Sequence, residues 1–310
     1  MAHKDAERKR TGDAATVVLE NTDANHFSID KSQTSHDYSI ISQKESLTLS
    51  DDIDQNITSN FSYENIDKIS VKLKDGRNIF FLETGKSTEV ALNARQACSI
   101  ESAALTNPNL RIFLIYSSPK RLQKLKRTPV LEAIMSYSNV NINYINIDEF
   151  SHETPFENFI ESKLLSKSFY LTEHTSDVLR LLVLWKYGGT YLDTDVIVRK
   201  SLEHVEHNFA CPETEEYMNG AVLNFESADK NHLVTTFADD LIKNFKGYNW
   251  SQNGPLLITR VAQDLCNTKN TNEMVAKEDC KGVKVEIFNC MKNIFYELDL
   301  KIDQLTHQNL

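Results

Sequence analysis

The chain has 310 residues, of which 25% are charged and 40% hydrophobic, and a formal net charge of −10. That length and mix suit one or two globular domains. The acidic balance argues against a nucleic-acid-binding surface and gives no help in approaching an anionic membrane.

Residues 1–75 are rich in Ser, Thr, Asp, Asn and Lys and poor in apolar runs, which predicts a disordered or loosely attached segment. Met1–Arg10 is charged, with no apolar stretch behind it. Neither a secretory signal nor a membrane span is expected. From Asn78 the pattern changes. Asn78–Glu83 reads as a buried strand. Val90–Leu105 reads as a helix stopped near Asn107-Pro108. Leu110–Tyr116 and Val140–Ile147 read as further strands, and Pro129–Tyr137 as a helix with Pro in its first turn. Strands alternating with helices predict an α/β layer around a mainly parallel sheet, which binds ligands beyond the carboxyl ends of its strands. Gly85-Lys86-Ser87 is similar to the end of a phosphate loop but lacks the first glycine of that motif.

The segment Thr175–Tyr187 predicts a helix with Ser176 as N-cap and Leu181, Leu184 and Trp185 on one face. Asp177 and Arg180 lie three residues apart, so they share a face at the predicted helix start. Gly188-Gly189 ends the helix. The run Thr190-Tyr191-Leu192-Asp193-Thr194-Asp195-Val196-Ile197 follows. Read as a strand, it points Asp193 and Asp195 the same way, roughly 6–7 Å apart. Two carboxylates on one face of a buried strand need a cationic partner, and a divalent metal is the simplest one. A helix N-terminus, an Arg and the acidic pair together would suit a metal–diphosphate ligand. Alone, the Asp pair is a common chance pattern, Asp177 a first-turn charge and Arg180 its salt-bridge partner. Farther on, Phe209–Cys211 and Ala221–Phe225 read as strands. Asn231–Phe245 and Leu256–Leu265 read as amphipathic helices. Trp185 reads as core, and Trp250 as core or as the lining of a sugar subsite. The nine histidines show no metal-ligand spacing and read as mostly surface.

The ordered set S-D-x-x-R, then W-K-x-G-G-x-Y-L-D-x-D, resembles the DXD glycosyltransferases of GT-A (Rossmann-like) fold. More closely, it is similar to the α-1,4-galactosyltransferase/α-1,4-N-acetylglucosaminyltransferase family. Ile79–Thr84, Cys98–Ala104, Asn219-Gly220-Ala221 and Gln252–Val261 carry the resemblance in the same order, from about Asn78 to Tyr296. It implies a nucleotide-diphospho-sugar transferase domain over residues 76–296, with a mainly parallel sheet flanked by helices. The implied reaction is metal-dependent and retaining. A hexose, galactose first and N-acetylhexosamine next, would pass from a UDP-sugar to a glycan or a lactosylceramide-like glycolipid in α-1,4 linkage.

By the same resemblance Asp195 would bind the metal, commonly Mn²⁺. Asp193 would contact the ribose, or the metal through water. Asp177 and Arg180 would contact the donor sugar. Asn219 and Gly220 would lie near the sugar or acceptor, Gln252 and Pro255 beside the acceptor, and Glu83 near the nucleotide. Glu226 is a candidate nucleophile, with a surface carboxylate as the plainer reading. The family is Golgi-luminal, and the resemblance pairs Cys266 with Cys280; in a reducing compartment they would be buried thiols. Asn56, Asn60 and Asn249 open N-glycosylation triplets that matter only in the lumen.

The family's N-terminal anchor is not visible here, so an alternative start or a soluble isoform is expected. After Phe295-Tyr296 the pattern lapses, and residues 297–310 read as a divergent, truncated end. The family's late His-x-Trp ligand is not matched by His307, which predicts weaker donor binding. A non-catalytic UDP-sugar-binding homologue is therefore an alternative. Leu192–Ile197 also resembles the first motif of haloacid-dehalogenase-type phosphatases, with Asp239-Asp240 as a later acidic motif.

Overall fold

Asn78–Glu83 (β1) carries alternating apolar side chains that are buried on both faces. Phe80 and Leu82 point into one core layer, Ile79 and Phe81 into the other. A strand buried on both sides belongs at the centre of a sheet covered by helices. The computed structural model describes residues 65–69, 73, 75–85, 92–117, 128–277 and 279–285. Lys86, Ser87, Asn56, Asn60, Cys290 and His307 lie outside the described residues.

In chain order the elements are β1, α1 (Ala94–Thr106), β2 (Arg111–Ser117), α2 (Pro129–Met135), β3 (Val140–Ile145), α3 (Ile147–Phe150), α4 (Glu157–Glu161), α5 (Leu171–Tyr187) and β4 (Gly189–Leu192). Then follow β5 (Phe209–Pro212), β6 (Met218–Phe225), α6 (Leu233–Asn244), α7 (Pro255–Cys266), α8 (Thr271–Val275) and β7 (Lys284–Val285). The sheet order is β3-β2-β1-β4-β6-β5-β7. β1 to β4 are mutually parallel along the β3-β2-β1-β4 half, and β6 runs antiparallel to both β4 and β5. The chain leaves β1 toward β2 on one side and returns as β4 on the other. The carboxyl ends of β1 and β4 therefore flank a switch point, where α/β sheets bind ligands.

The helices form where local chemistry favours them. Asn93 and Gln96 close a reciprocal capping box at the start of α1, and Pro129 occupies the first turn of α2. α5 begins at Leu171, not at the expected Ser176, with Tyr170 as N-cap and no side-chain cap bond. Ser176, Asp177 and Arg180 therefore lie in the middle of a 17-residue helix. The diphosphate reading that leaned on a helix N-terminus beside Asp177 is corrected accordingly. His174, expected on the surface, is fully buried in the same helix. Gly189 is required at its position. A Cβ there would stand 2.5 Å from the Asn78 carbonyl oxygen, so α5 can turn into β4 alongside β1 only without a side chain.

Described residues ahead of β1 also pack on the core. Ile66 and Leu73 are fully buried, and Asp67 accepts a hydrogen bond from the Tyr187 hydroxyl at 2.7 Å. Trp185 donates to Thr235 at 3.1 Å and packs against the core, as the sequence implies. A disulfide joins Cys266 at the end of α7 to Cys280, which pairs with Val283 ahead of the edge strand β7. No helix among the described residues is long and apolar enough to cross a membrane.

Candidate active site

The Asp193–Asp195 pair does not lie on a strand. β4 ends at Leu192. The amide of Asp193 makes one more sheet bond, to the Ala221 carbonyl at 2.9 Å, and the chain then turns, with the Val196 amide donating to the Asp193 carbonyl at 3.1 Å. The i, i+2 alternation expected of a strand is lost in a turn. Both carboxylates nevertheless line one cavity of about 330 Å³, together with Thr194, Asn93, Arg95, Gln96, Ser176, Tyr191 and Leu82. This cavity sits beyond the carboxyl ends of β1 and β4, at the switch point.

A larger cleft of about 950 Å³ adjoins it, and Ser176 and Asp193 line both. Its other walls include Asp177, Arg180, Asn219, Gly220, Tyr217, Glu213, Trp250 and Pro255. Sheet pairing produces this meeting. β6 runs back along β4 with Leu192 opposite Val222, so Asn219 and Gly220 arrive beside the turn that carries Asp193. α5 packs over the same sheet and brings Ser176, Asp177 and Arg180 from above.

Arg180 is the hub. Its Nη2 lies 3.1 Å from Asp177 Oδ1 and 3.8 Å from Asp193 Oδ1. Its Nη1 donates to the Gly220 carbonyl at 2.6 Å, and its Nη2 donates to Ser176 Oγ at 3.3 Å. The guanidinium also stands over the Tyr191 ring, 4.8 Å from its centroid. The Tyr191 hydroxyl in turn donates to Asp193 Oδ1. Arg180 and Asp177 are only 8% and 5% exposed, so each charge depends on its partners. Burial, opposed by the pull of Arg180, pushes the Asp177 carboxyl up to about 6, and the Asp193 charge adds to that rise. Asn219 Nδ2 is buried with no hydrogen-bond partner, an available donor in the wall of the larger cleft.

Two glycines make room for this cluster. A Cβ on Gly220 would stand 2.6 Å from Arg180 Nη1, and one on Gly254 would stand 2.4 Å from Asp177 Oδ1. Gly254 is the N-cap of α7, with Pro255 in the first turn. The Asp177 carboxylate therefore sits against the positive end of α7 rather than at the start of its own helix.

Other expected residues stand farther off. Glu83 accepts from Gln96 Nε2 at 3.0 Å and from the Gly85 amide at 2.9 Å, so it reaches the smaller cavity through Gln96. Gln252 turns its amide toward the Asn244 carbonyl at 3.4 Å. Glu226 is placed at the wrong end of β6 for a nucleophile. It follows Phe225, which pairs with Gly189 at the start of β4, and it accepts hydrogen bonds from Asn208 and Asn231. The phosphatase reading fails on geometry as well, because Asp240 lies in α6 paired with Arg260. Asn93, Arg95, Gln96, Glu213 and Tyr217 were not predicted for the site. The spacing Asn93-x-x-Gln96 is a capping-box signal that marks the start of α1.

Two family models match the chain in succession. The glycosyltransferase sugar-binding region containing the DXD motif matches residues 93–211, and the alpha 1,4-glycosyltransferase conserved region matches residues 227–304. The chain carries both sequence regions of the α-1,4-glycosyltransferases, one after the other. It is 31% identical over 207 residues to the human lactosylceramide 4-alpha-galactosyltransferase, covering 66% of this chain and 56% of that protein. It is 24% identical over 218 residues to the human alpha-1,4-N-acetylglucosaminyltransferase, covering 69% of this chain and 62% of that protein. The chain thus spans a little over half the length of these curated relatives. Among solved structures, the PaToxG glycosyltransferase shares 20% identity at a TM-score of 0.47, covering 64% of this chain and 74% of that one. The mixed, mostly parallel sheet is the α/β layer that the resemblance implies, whereas the DXD residues, expected on a strand, lie in the turn after β4. Both human relatives are named as transferases of a hexose or N-acetylhexosamine unit.

Proposed function

We propose that the protein transfers a hexose from a UDP-sugar to the terminal sugar of a glycolipid, in α-1,4 linkage and with retention. Galactose is the favoured donor sugar and N-acetylhexosamine the next. The observation that carries this reading is the pair of adjoining cavities that share Ser176 and Asp193. One is the size of a nucleotide–metal site and holds both Asp residues. The other is larger and lined by Tyr217 and Trp250.

The carboxylates of Asp193 and Asp195 line one cavity, and their hard oxygen donors suit a divalent cation that takes its remaining ligands from diphosphate oxygens and water. Asp195 and Asp193 would hold that ion, Mn²⁺ in this proposal. When bound, it supplies charge neutralisation to the departing UDP. The protein's own part is to bind and orient. Arg180, fixed by Asp177, Ser176 and the Gly220 carbonyl, holds a permanent positive charge in the low-dielectric wall between the cavities. Tyr191 orients Asp193 through its hydroxyl. Asn219 Nδ2 offers a buried donor to a sugar hydroxyl. Pro255 and Trp250 border the acceptor side. The Cys266–Cys280 disulfide suits an oxidising compartment, and the proposed location is the Golgi lumen.

Calorimetric titration of UDP with and without Mn²⁺ tests the site. Asp195→Ala should abolish metal-dependent binding, a loss of at least about a hundredfold, while thermal unfolding stays close to that of the parent chain. Binding of UDP that ignores both metal and substitution would overturn the assignment.

A further inference from the structure

Three side chains of the larger cleft sit on one tight turn. Glu213, Thr214 and Tyr217 line that cleft, and the chain folds back from β5 to β6 within residues 213–217. The amides of Glu213 and Thr214 both donate to the Tyr217 carbonyl, at 2.8 and 3.1 Å. Thr214 Oγ1 accepts from the amides of Glu216 and Tyr217, at 3.2 and 3.1 Å. These bonds shape the turn but do not fix where it stands. All five of its residues are exposed, and an exposed loop tip with only local bonds is free to shift as a unit.

The fixed point comes from 57 residues farther along the chain. Thr271 Oγ1 donates to the Thr214 carbonyl at 2.6 Å, and the Thr271 amide donates to the Glu215 carbonyl at 2.9 Å. Thr271 is 2% exposed and lines neither cavity. Thr175 and Thr259, inside longer helices, return their hydroxyls to the carbonyl four residues back. Thr271 opens α8 and sends its hydroxyl across the fold instead. α8 itself is anchored: Asn270 caps its start, Met274 is fully buried, and the whole helix lies inside the loop closed by Cys266 and Cys280.

The turn carries the chemistry of a sugar contact. Tyr217 and Trp250 both line the cleft and keep 44% and 56% of their surface exposed. An aromatic face packs against the apolar face of a hexose ring, and the Glu213 carboxylate can accept bonds from its hydroxyls. We propose that the turn at 213–217 grips the acceptor sugar through Glu213 and Tyr217, and that Thr271 is a positioning residue that sets the place of this turn in the cleft wall. The acceptor role rests on the glycosyl-transfer reading above.

The test uses the full chain with lactose as the soluble probe, in the presence of UDP and Mn²⁺. The chain has two tryptophans, and Trp185 donates to Thr235 away from the cleft, so emission changes report lactose beside Trp250. Thr271→Val keeps the shape and removes the hydroxyl. It should weaken lactose about three- to tenfold, and raise the acceptor KM by the same factor with kcat little changed. Thr271→Ser should restore both. A glutamate-specific protease should cut at Glu213, Glu215 or Glu216 several-fold faster in Thr271→Val and at the parent rate in Thr271→Ser. Tyr217→Ala and Glu213→Gln, on the exposed turn, should weaken lactose without changing the melting temperature or UDP affinity. A parent chain that binds lactose with this pattern but transfers no sugar would sink the enzymatic reading and leave the turn standing. No lactose binding by the parent chain, equal binding by Thr271→Val or Tyr217→Ala, or an equal loss of UDP affinity in Thr271→Val would overturn the proposal.

Discussion

Arg180 and Gly220 share a space that admits no side chain: Nη1 donates to the Gly220 carbonyl at 2.6 Å, and a Cβ on Gly220 would lie 2.6 Å from that nitrogen. Gly220→Ala should therefore push the guanidinium off its carbonyl and away from Asp193. Overpacking of this kind costs about 1–3 kcal/mol, and loss of a charge-assisted bond weakens donor binding roughly tenfold or more. Thermal unfolding and UDP titration read the two effects separately. An alanine variant with unchanged donor affinity would mean that Arg180 does not face the donor.

His174 gives the fold a built-in response to acid. Burial, partly offset by the Trp250 and Asn249 carbonyls, holds its ring below the ordinary 6.5. Between that lowered value and 6.5 the unfolded chain binds a proton that the folded chain refuses, so stability rises with pH across this window and is complete above 6.5. Urea unfolding at several pH values should show this slope, and His174→Gln should flatten it while lowering stability at neutral pH. A parent chain with equal stability on both sides of 6.5 would refute the assignment.

The Cys266–Cys280 disulfide closes a loop of sequence separation 14. A cross-link of that span contributes about 3 kcal/mol by the chain-entropy model. Reduction, or the double substitution to Ser, should lower the melting temperature accordingly. UDP binding should persist, because neither cysteine lines the two cavities. The check is a melting curve with and without reductant.

Trp250 lines the larger cleft, on the side proposed to take the acceptor. Trp250→Ala should raise the KM for a soluble oligosaccharide acceptor several-fold, consistent with about 1 kcal/mol of lost stacking. Affinity for UDP should not move, and Trp250→Phe should recover most of the loss. A change in UDP affinity alone would place Trp250 on the donor side.

Much of this molecule was legible in its sequence, and the reason is periodicity. β1 occupies the predicted Asn78–Glu83 because its four central side chains are all apolar, and the expected strands and helices between Leu110 and Leu265 fall within a few residues of their places, while the short helices Ile147–Phe150 and Glu157–Glu161 were not foreseen. The order of the motifs was enough to point to the family, because separate short patterns in sequence order are rare by chance. Local patterns failed where tertiary contacts take over. Ser176 looks like a helix cap, yet Leu171–Thr175 extend α5 upstream because that turn packs on the loop at Asn249 and Trp250. The Asp pair looks like a strand face, yet β4 stops at Leu192, where its pairing with β6 ends.

The sequence by itself determined which residues are chemically able to bind a metal and a diphosphate, because that depends on residue type and short spacing. Only the tertiary structure decided that Arg180 reaches Asp193 and Gly220, 13 and 40 residues away in the chain. It also excluded Glu226 and tied the turn at 213–217 to Thr271. Those contacts follow from sheet order and from the direction of β6, which depend on long-range pairing and leave no period in the chain.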